Sequence, residues 1–409
     1  MPGKIKSFFR KLGPGLITGA ADDDPSGIAT YSLAGSLFGY RLLWTAVFSF
    51  PLMVAVQETC GRIGLVTKKG LAEITKEHYP RPVVFLISLV LFAANTFNIG
   101  ADLAGMSEAI RLLIPLPQLV VSLVLAGVMV FLIIKLEYDR IVMVFKCLTM
   151  ALFSYVLAFF LTRQNYGEII RSTFLPVMSL DRNYIQTVLA IFGTTISPYL
   201  FFWQTSDEAE NEILAKKSVS RHSLRIEKED TVAGMFFSNL VMYFIIATVA
   251  GTLFVSGKNI ETAAQAAQAL RPLAGDLASV LFTVGIVGTG MLAIPVLSGS
   301  AGYALSETFG FHEGLNRKFK QAPGFYTIIA LSTLLGFGLN LVGISPIKYL
   351  FYSAVLNGLV SPIMIVLLLL IANNEKIMGK YRNGRLVNFL TVTTLLVMTA
   401  GVVGVFVIH

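Results

Sequence analysis

The sequence predicts an all-α, polytopic membrane protein, and three observations carry that prediction. The 409 residues are 55% hydrophobic and only 14% charged, with a mean hydropathy of +0.72, whereas soluble domains carry about 25% charge. Counting apolar stretches long enough for a hydrocarbon core of about 30 Å gives 11 transmembrane helices, starting near residues 12, 41, 83, 117, 139, 184, 231, 273, 324, 346 and 386. Runs such as VVSLVLAGVMVFLII and PIMIVLLLLIA are continuous, which points to helices and not to the short alternating strands of a membrane barrel.

Orientation follows from the basic residues. About 23 of the 32 Lys and Arg fall before the first span or in the alternate connections that share its side, about 8 fall opposite, and Lys146 sits inside span five. The N-terminus is therefore expected in the cytoplasm of a plasma (bacterial inner) membrane, and His409 outside. The net charge of +8 reflects this sorting and not a groove for nucleic acid. No cleavable signal peptide is expected, because three acids interrupt the first apolar run. Cys60 and Cys147 lie inside apolar runs, so neither a disulfide framework nor a cysteine metal site is expected. The charged stretch SDEAENEILAKKSVSRHSLRIEKED reads as the end of helix six plus a solvated loop. Trp44 and Trp203, near span ends, read as interfacial, and most Phe and Tyr as lipid-facing.

Span one, GPGLITGAADDDPSGIATYSLAGSLFGY, holds Asp22, Asp23 and Asp24 near its middle, followed by Pro25, Ser26 and Gly27. Each acid at mid-membrane costs about 2.5–3.5 kcal/mol on insertion scales, so these three must face a cavity, a cation or each other. Pro25 removes a backbone donor and Gly27 tolerates open conformations, so the helix should unwind here. Span six, YIQTVLAIFGTTISPYLFFWQTSDEAEN, repeats the device with Gly193, Thr194 and Thr195 ahead of Ser197 and Pro198. Two interrupted helices at corresponding places in two five-helix halves point to an inverted-repeat secondary transporter with its site between the breaks. Residues 1–163 would form the first repeat, 164–373 the second, and 374–409 the last helix.

Such a site offers only oxygen. Asp23 and Asp24, the hydroxyls of Ser26, Thr194, Thr195 and Ser197, and freed carbonyls suit a hard cation such as Mg²⁺ or Mn²⁺. All four histidines, His78, His222, His312 and His409, fall in loops or at the terminus. Asp24 is the leading ligand. Asp23 points about 100° away around a helix, so a place at the ion, beside it or in a vestibule stays open. Asp22 reads as a vestibule or network acid. Asn95, Asn98 and Asp102 share one helix face; the strip is either an ion or water path or an interhelical hydrogen-bond face. Glu58 and Arg62 read as an intrahelical ion pair, and Asp207, Glu208, Glu210 and Glu212 as a solvated acidic helix end.

These residues resemble the natural-resistance-associated macrophage protein (NRAMP) family of divalent-metal transporters. GPGLITGAADDDPSG looks like the family's first-helix motif, MVAVQETCGRIGLVTKKGLAEITKEHYP like its second helix and following loop, ADLAGMSEAIRLL like its third, and YLFYSAVLNGLVSPIMIVLLLLIANNEKIMGKYRNG like its tenth. The resemblance implies the LeuT/APC-like fold, two inverted five-helix repeats plus an eleventh helix, with helices 1 and 6 unwound at mid-membrane. The family's metal-binding aspartate falls on Asp24, and its asparagine three residues on falls on Gly27. Its Met-Pro-His in helix six becomes Ser197, Pro198 and Tyr199, and the alanine whose carbonyl binds metal falls on Thr194. Its Asp-Leu-Ala-Glu keeps the first acid as Asp102 and has Gly105 for the second; a helix-ten glutamine falls near Ala354, with Asn357 a turn away. The arginines expected in helix nine are absent.

Losing the methionine removes a soft ligand, and losing Asn for Gly leaves room for a more hydrated ion. The departures look like the NRAMP-related magnesium transporters. They imply uptake of hydrated Mg²⁺, with Mn²⁺ as a second substrate, by alternating access and without obligatory proton coupling. The metal is cargo and no resident cofactor is expected. The expected partners are that ion and the lipid bilayer, with a monomeric chain and no nucleic acid. A proton-coupled Mn²⁺ or Fe²⁺ importer with an altered site, and an amino-acid or organic-solute transporter of the same fold, remain alternatives. An enzyme is not expected, since no nucleophile and base pair up in the sequence.

Overall fold

The computed structural model describes residues 14–135, 150–215 and 219–408. Lys146, Cys147, His409, the basic residues before Pro14 and those at 140, 216 and 217, and the first part of the fifth span lie outside the described residues. Among the described residues the structure is helical throughout. The elements that build the site are α1 (Pro14–Asp22), α2 (Pro25–Phe38), α3 (Trp44–Thr67), α4 (Leu71–His78), α5 (Arg81–Arg111), α6 (Gln118–Lys135), α7 (Phe153–Leu161) and α8 (Tyr166–Phe174). They continue as α9 (Arg182–Thr195), α10 (Pro198–Ala215), α11 (Arg221–Val249), α12 (Ala278–Phe309), α13 (Pro323–Leu339), α14 (Pro346–Asn373) and α15 (Arg385–Val407). Eight helices among the described residues are long and apolar enough to cross a membrane. A ninth candidate is the pair Pro25–Leu42 and Trp44–Thr67, bent by 106°.

Helix starts follow local rules. Proline opens α1, α2, α10, α13 and α14, where its missing amide has no intrahelical partner to lose. Asp24, Asn165 and Asp181 cap α2, α8 and α9 with their side chains, and Ser220 with Ser223 forms a capping box for α11.

Packing then brings the two breaks together. The first half-helix α1 lies along α11, α9 along α14, α10 along α3, and α5 along α12, α13 and α14. The α1–α11 approach is backbone to backbone, because a Cβ on Gly19 would come within 2.3 Å of the Gly234 carbonyl. Small residues at such crossings let helices approach without a lipid-driven force.

Four expectations are corrected here. Helix α11 starts at Arg221, and α10 runs to Ala215, so most of the charged stretch is helix and not loop. Asp207 and Glu208 are buried, because α10 packs along α3 and α12. Trp44 and Trp203 are also buried: Trp44 donates to the Tyr184 hydroxyl at 3.1 Å, and Trp203 packs edge-on against Tyr303. Five tyrosines, Tyr31, Tyr155, Tyr199, Tyr303 and Tyr349, are among the largest fully buried side chains. They are core and not lipid-facing, and core tyrosines aim hydroxyls at the interior.

Candidate functional site

Both breaks form where a proline starts a new helix and the residue ahead of it leaves helical geometry. Asp24, just before Pro25, is extended at φ −67° and ψ 171°. Ile196 ends α9 at φ −128° and ψ 62°, two residues before Pro198.

Asp24 sits in a nest of donors. Its Oδ1 accepts from the Gly27 amide at 2.7 Å and the Ser26 hydroxyl at 2.6 Å, and its Oδ2 from the Asn98 carboxamide at 3.1 Å. The carboxylate thus caps the N-terminus of α2, where the helix macrodipole favours negative charge. One turn beyond Asn98 on α5, Asp102 faces the Ser26 amide and the charge of Asp24. Neither carboxylate oxygen of Asp102 has a full hydrogen bond among the described residues. Asn95 instead donates to the Leu297 carbonyl of α12 at 3.0 Å. The polar strip therefore divides, with Asn98 and Asp102 at the break and Asn95 tying two helices together.

Asp22 and Asp23 engage a different helix. Both reach the Ser238 hydroxyl of α11, at 2.5 Å from Asp22 and 3.3 Å from Asp23.

From the other break, Thr194 meets Gly27. A Cβ at Gly27 would lie 3.0 Å from the Thr194 hydroxyl and 3.3 Å from the Asp22 carbonyl. The space that glycine was expected to leave for water is thus filled by Thr194 in this structure. Ser197 turns its hydroxyl back to the Gly193 and Thr194 carbonyls, both at 2.7 Å, and Thr195 bonds back to Ile191 at 2.9 Å. These are local side-chain bonds to the preceding turn, and they leave the oxygen lone pairs facing outward from the donated proton. The Tyr199 hydroxyl donates to the Ala21 carbonyl at 3.0 Å, bridging from α10 to the end of α1.

Ser238 and Ser361 are the residues that sequence reasoning missed. Ser361 of α14 donates to the Ile196 carbonyl at 2.8 Å, sharing its proton with Asn357 one turn earlier at 2.7 Å. It thereby satisfies a carbonyl that the break releases. Its signal was its place one turn after Asn357 and before Pro362; Ser238 carried none. Asn357 keeps its Nδ2 buried without a partner among the described residues.

The far end of α10 is acidic and tightly packed. Glu210 accepts from the Tyr303 hydroxyl at 2.6 Å and the Asn316 amide at 3.0 Å. Glu307 accepts from Ser206 at 2.7 Å and from the Glu73 amide of α4 at 2.9 Å. Outside the spans, Glu313 is pushed up to about 10 by burial and by Glu307, Glu73 and Glu210, against the opposing pull of Arg317. Glu58 and Arg62 pair at 3.7 Å, and Arg62 also bonds Asn383.

Among the described residues, no three of His, Cys, Asp and Glu converge to hold a metal ion. What meets at the break is the Asp24 carboxylate with the Ser26 hydroxyl, the Asn98 carboxamide and the Gly27 amide, and Asp102 within reach of its charge. Oxygen ligands of this kind suit a hard cation.

A helical membrane protein with two interrupted helices around such a centre has the architecture of a membrane transporter. The model of the family described as natural resistance-associated macrophage protein-like matches residues 15–408, and the chain belongs to that family, one of transporters and not enzymes. It is 25% identical over 384 residues to the divalent metal cation transporter MntH of Caldanaerobacter subterraneus, covering 92% of this chain and 88% of the relative. It is 26% identical over 393 residues to that of Deinococcus radiodurans, covering 92% and 85%. Among solved structures it resembles the Eremococcus coleocola manganese transporter, with a TM-score of 0.80 at 17% identity over 98% of this chain and 87% of the other. It also resembles the inward-facing form of Mhp1, with a TM-score of 0.56 at 12% identity over 97% and 89%. The chain is thus a multi-pass, all-helical membrane protein whose fold neighbours include LeuT-like transporters.

Proposed function

We propose that this chain takes up divalent cations by alternating access, Mg²⁺ in partly hydrated form first and Mn²⁺ second, without obligatory proton coupling. The observation that carries the reading is the donor set. Ser197 and Tyr199 stand where the resemblance puts the family's thioether and imidazole, and both are hydroxyl oxygens at the breaks, Ser197 on the Gly193 and Thr194 carbonyls and Tyr199 on the Ala21 carbonyl, while Asn98 bonds Asp24. Hard oxygen ligands suit Mg²⁺, which dehydrates reluctantly, and give no preference for softer transition metals. The proposal includes 11 spans in two inverted repeats, 1–163 and 164–373, with 374–409 added. Helices 1 and 6 are taken as unwound at mid-membrane, and the monomeric chain keeps its N-terminus in the cytoplasm.

A proton-coupled Mn²⁺ importer is the second reading, favoured by the likeness to manganese and divalent-metal transporters. Influx into proteoliposomes separates the two, with a Mg²⁺ indicator and a pH dye inside the vesicles. Saturable Mg²⁺ entry without acidification supports the first. Mn²⁺ entry with acidification and no Mg²⁺ flux overturns it in favour of the second.

A further inference from the structure

We propose that Asp22, Asp23, Ser238 and Tyr31 form a second position for a hard divalent cation, on the α11 side of the first break and separate from the Asp24 nest. The proposal rests on reading the chain as a divalent-cation transporter and adds to it a second station.

Asp22 Oδ2 and Asp23 Oδ1 converge on one hydroxyl, Ser238 Oγ, at 2.5 and 3.3 Å. A serine hydroxyl carries one proton, so it cannot serve both carboxylates. Asp22 Oδ1 has no hydrogen-bond partner among the described residues, and the Tyr31 hydroxyl makes no full hydrogen bond there, with the Thr194 side chain as its neighbour. Tyr31 stands within electrostatic reach of both acids. Asp22 and Tyr31 are 0% exposed and Asp23 is 4% exposed, so bulk water does not make up the missing bonds. The groups that act on the two carboxylates are Ser238 and other aspartates, with no Lys, Arg or His among them.

Helix polarity sharpens the contrast with Asp24. Asp24 opens α2, where the dipole is positive, but Asp22 is the last residue of α1. There the released carbonyls and the negative end of the macrodipole add to the charge of the two acids. Two buried carboxylates repel each other, and a cation between them converts the repulsion into attraction. The oxygens on offer are two carboxylates, two hydroxyls and helix-terminal carbonyls, a set suited to Mg²⁺ or Mn²⁺ and poor in soft ligands. Ser238 is held in place by the close α1–α11 crossing at Gly19 and Gly234, one turn before it. The pair therefore lies between the Asp24 nest and the start of α1, where Asp230 accepts from the Gly15 and Leu16 amides at 2.8 and 3.3 Å. A cation leaving Asp24 along α1 meets this pair next.

The test counts Mn²⁺ bound to the purified full chain in nanodiscs, by calorimetric titration and by the loss of free-ion paramagnetic signal. Wild type should bind two ions. Ser238→Ala and Tyr31→Phe should each weaken one of them at least tenfold while Asp24→Asn removes the other, with all variants eluting as the wild type does in size exclusion. One ion, lost in Asp24→Asn and untouched by Ser238→Ala and Tyr31→Phe, would overturn the inference and leave the transport reading standing. No bound ion in wild type would overturn both. Exchanging K⁺ for Na⁺ at constant ionic strength should leave two Mn²⁺ ions bound; selective loss of the second in Na⁺ would assign the position to a monovalent cation and overturn the divalent proposal.

Discussion

The break between α1 and α2 holds three carboxylates in three residues, whereas the break between α9 and α10 holds none. Both begin a new helix at proline, and both release carbonyls at the end of the first half. At the charged break the compensation is for negative charge: Asp24 takes an amide, a hydroxyl and a carboxamide. At the neutral break the compensation is for orphaned carbonyls, supplied by Ser197 and Ser361. One break can attract a cation from a distance, while the other can shape its ligand field only at contact. Charge recruits and dipoles select, and each half can be tested alone.

Removing the charge is the largest perturbation. Asp24→Ala should abolish Mg²⁺ influx, a loss of about 100-fold or more, since the site then keeps only neutral oxygen around a divalent ion. Size exclusion should show the variant folded, because water can accept from the Gly27, Ser26 and Asn98 donors in place of the carboxylate. Residual flux within about tenfold of wild type would shift the essential charge to Asp22, Asp23 or Asp102. Changing the ligand field at the neutral break comes next. Ser197→Met should raise the Mn²⁺/Mg²⁺ flux ratio about 3–10-fold by adding a soft donor, and an unchanged ratio would place Ser197 away from the ion.

How much of this was legible in the sequence differs between the breaks for a physical reason. Acids in an apolar run are costly wherever they point, so Asp22, Asp23 and Asp24 announced the first break without any tertiary information. Prolines at 25 and 198 fixed where the second half-helices start. The satisfaction of the freed groups was not legible, because the donors arrive from far along the chain: Ser238 is 216 residues from Asp22, and Ser361 is 165 from Ile196. A buried serine has no local pattern of its own. The same holds for Asp207 and Glu208, whose burial depends on helices α3 and α12 packing over an acidic turn that reads as surface. Gly27 shows the limit from the other side. Its small size was legible, but the hydroxyl of Thr194 that occupies the vacated space was not.

Two single-hydroxyl deletions compare the breaks at finer grain. Ser361→Ala leaves the Ile196 carbonyl unsatisfied in the interior, which should cost about 1–2 kcal/mol. Tyr199→Phe removes the bond to Ala21 that joins α10 to α1, at a net cost of about 1 kcal/mol. Both should lower the thermal midpoint by about 1–4 °C. They differ in function: Tyr199→Phe loosens the link between the breaks and should change transport rate, while Ser361→Ala acts within the second break and should change chiefly ion preference. Equal effects on both readouts would mean that the breaks work as one unit.

The smallest expected effect on transport lies where α10 ends. The second break has no charge, yet Glu210, farther along α10, faces Glu313 in a packed acidic group with Glu307 and Glu73. Glu313 is pushed from its usual 4.5 up to about 10 by burial and these neighbours, so at neutral pH the folded chain holds a proton that the unfolded chain releases. Its contribution to stability is therefore fully present below about 4.5 and is lost as pH rises toward about 10. Glu313→Gln should flatten the fall of the thermal midpoint across that window and leave Mg²⁺ flux at neutral pH nearly unchanged. A variant that keeps the wild-type slope would show that the proton is held elsewhere in the group. A variant that loses flux would show that the acidic end of α10 takes part in the passage of the ion, so that the second break would have its own source of charge.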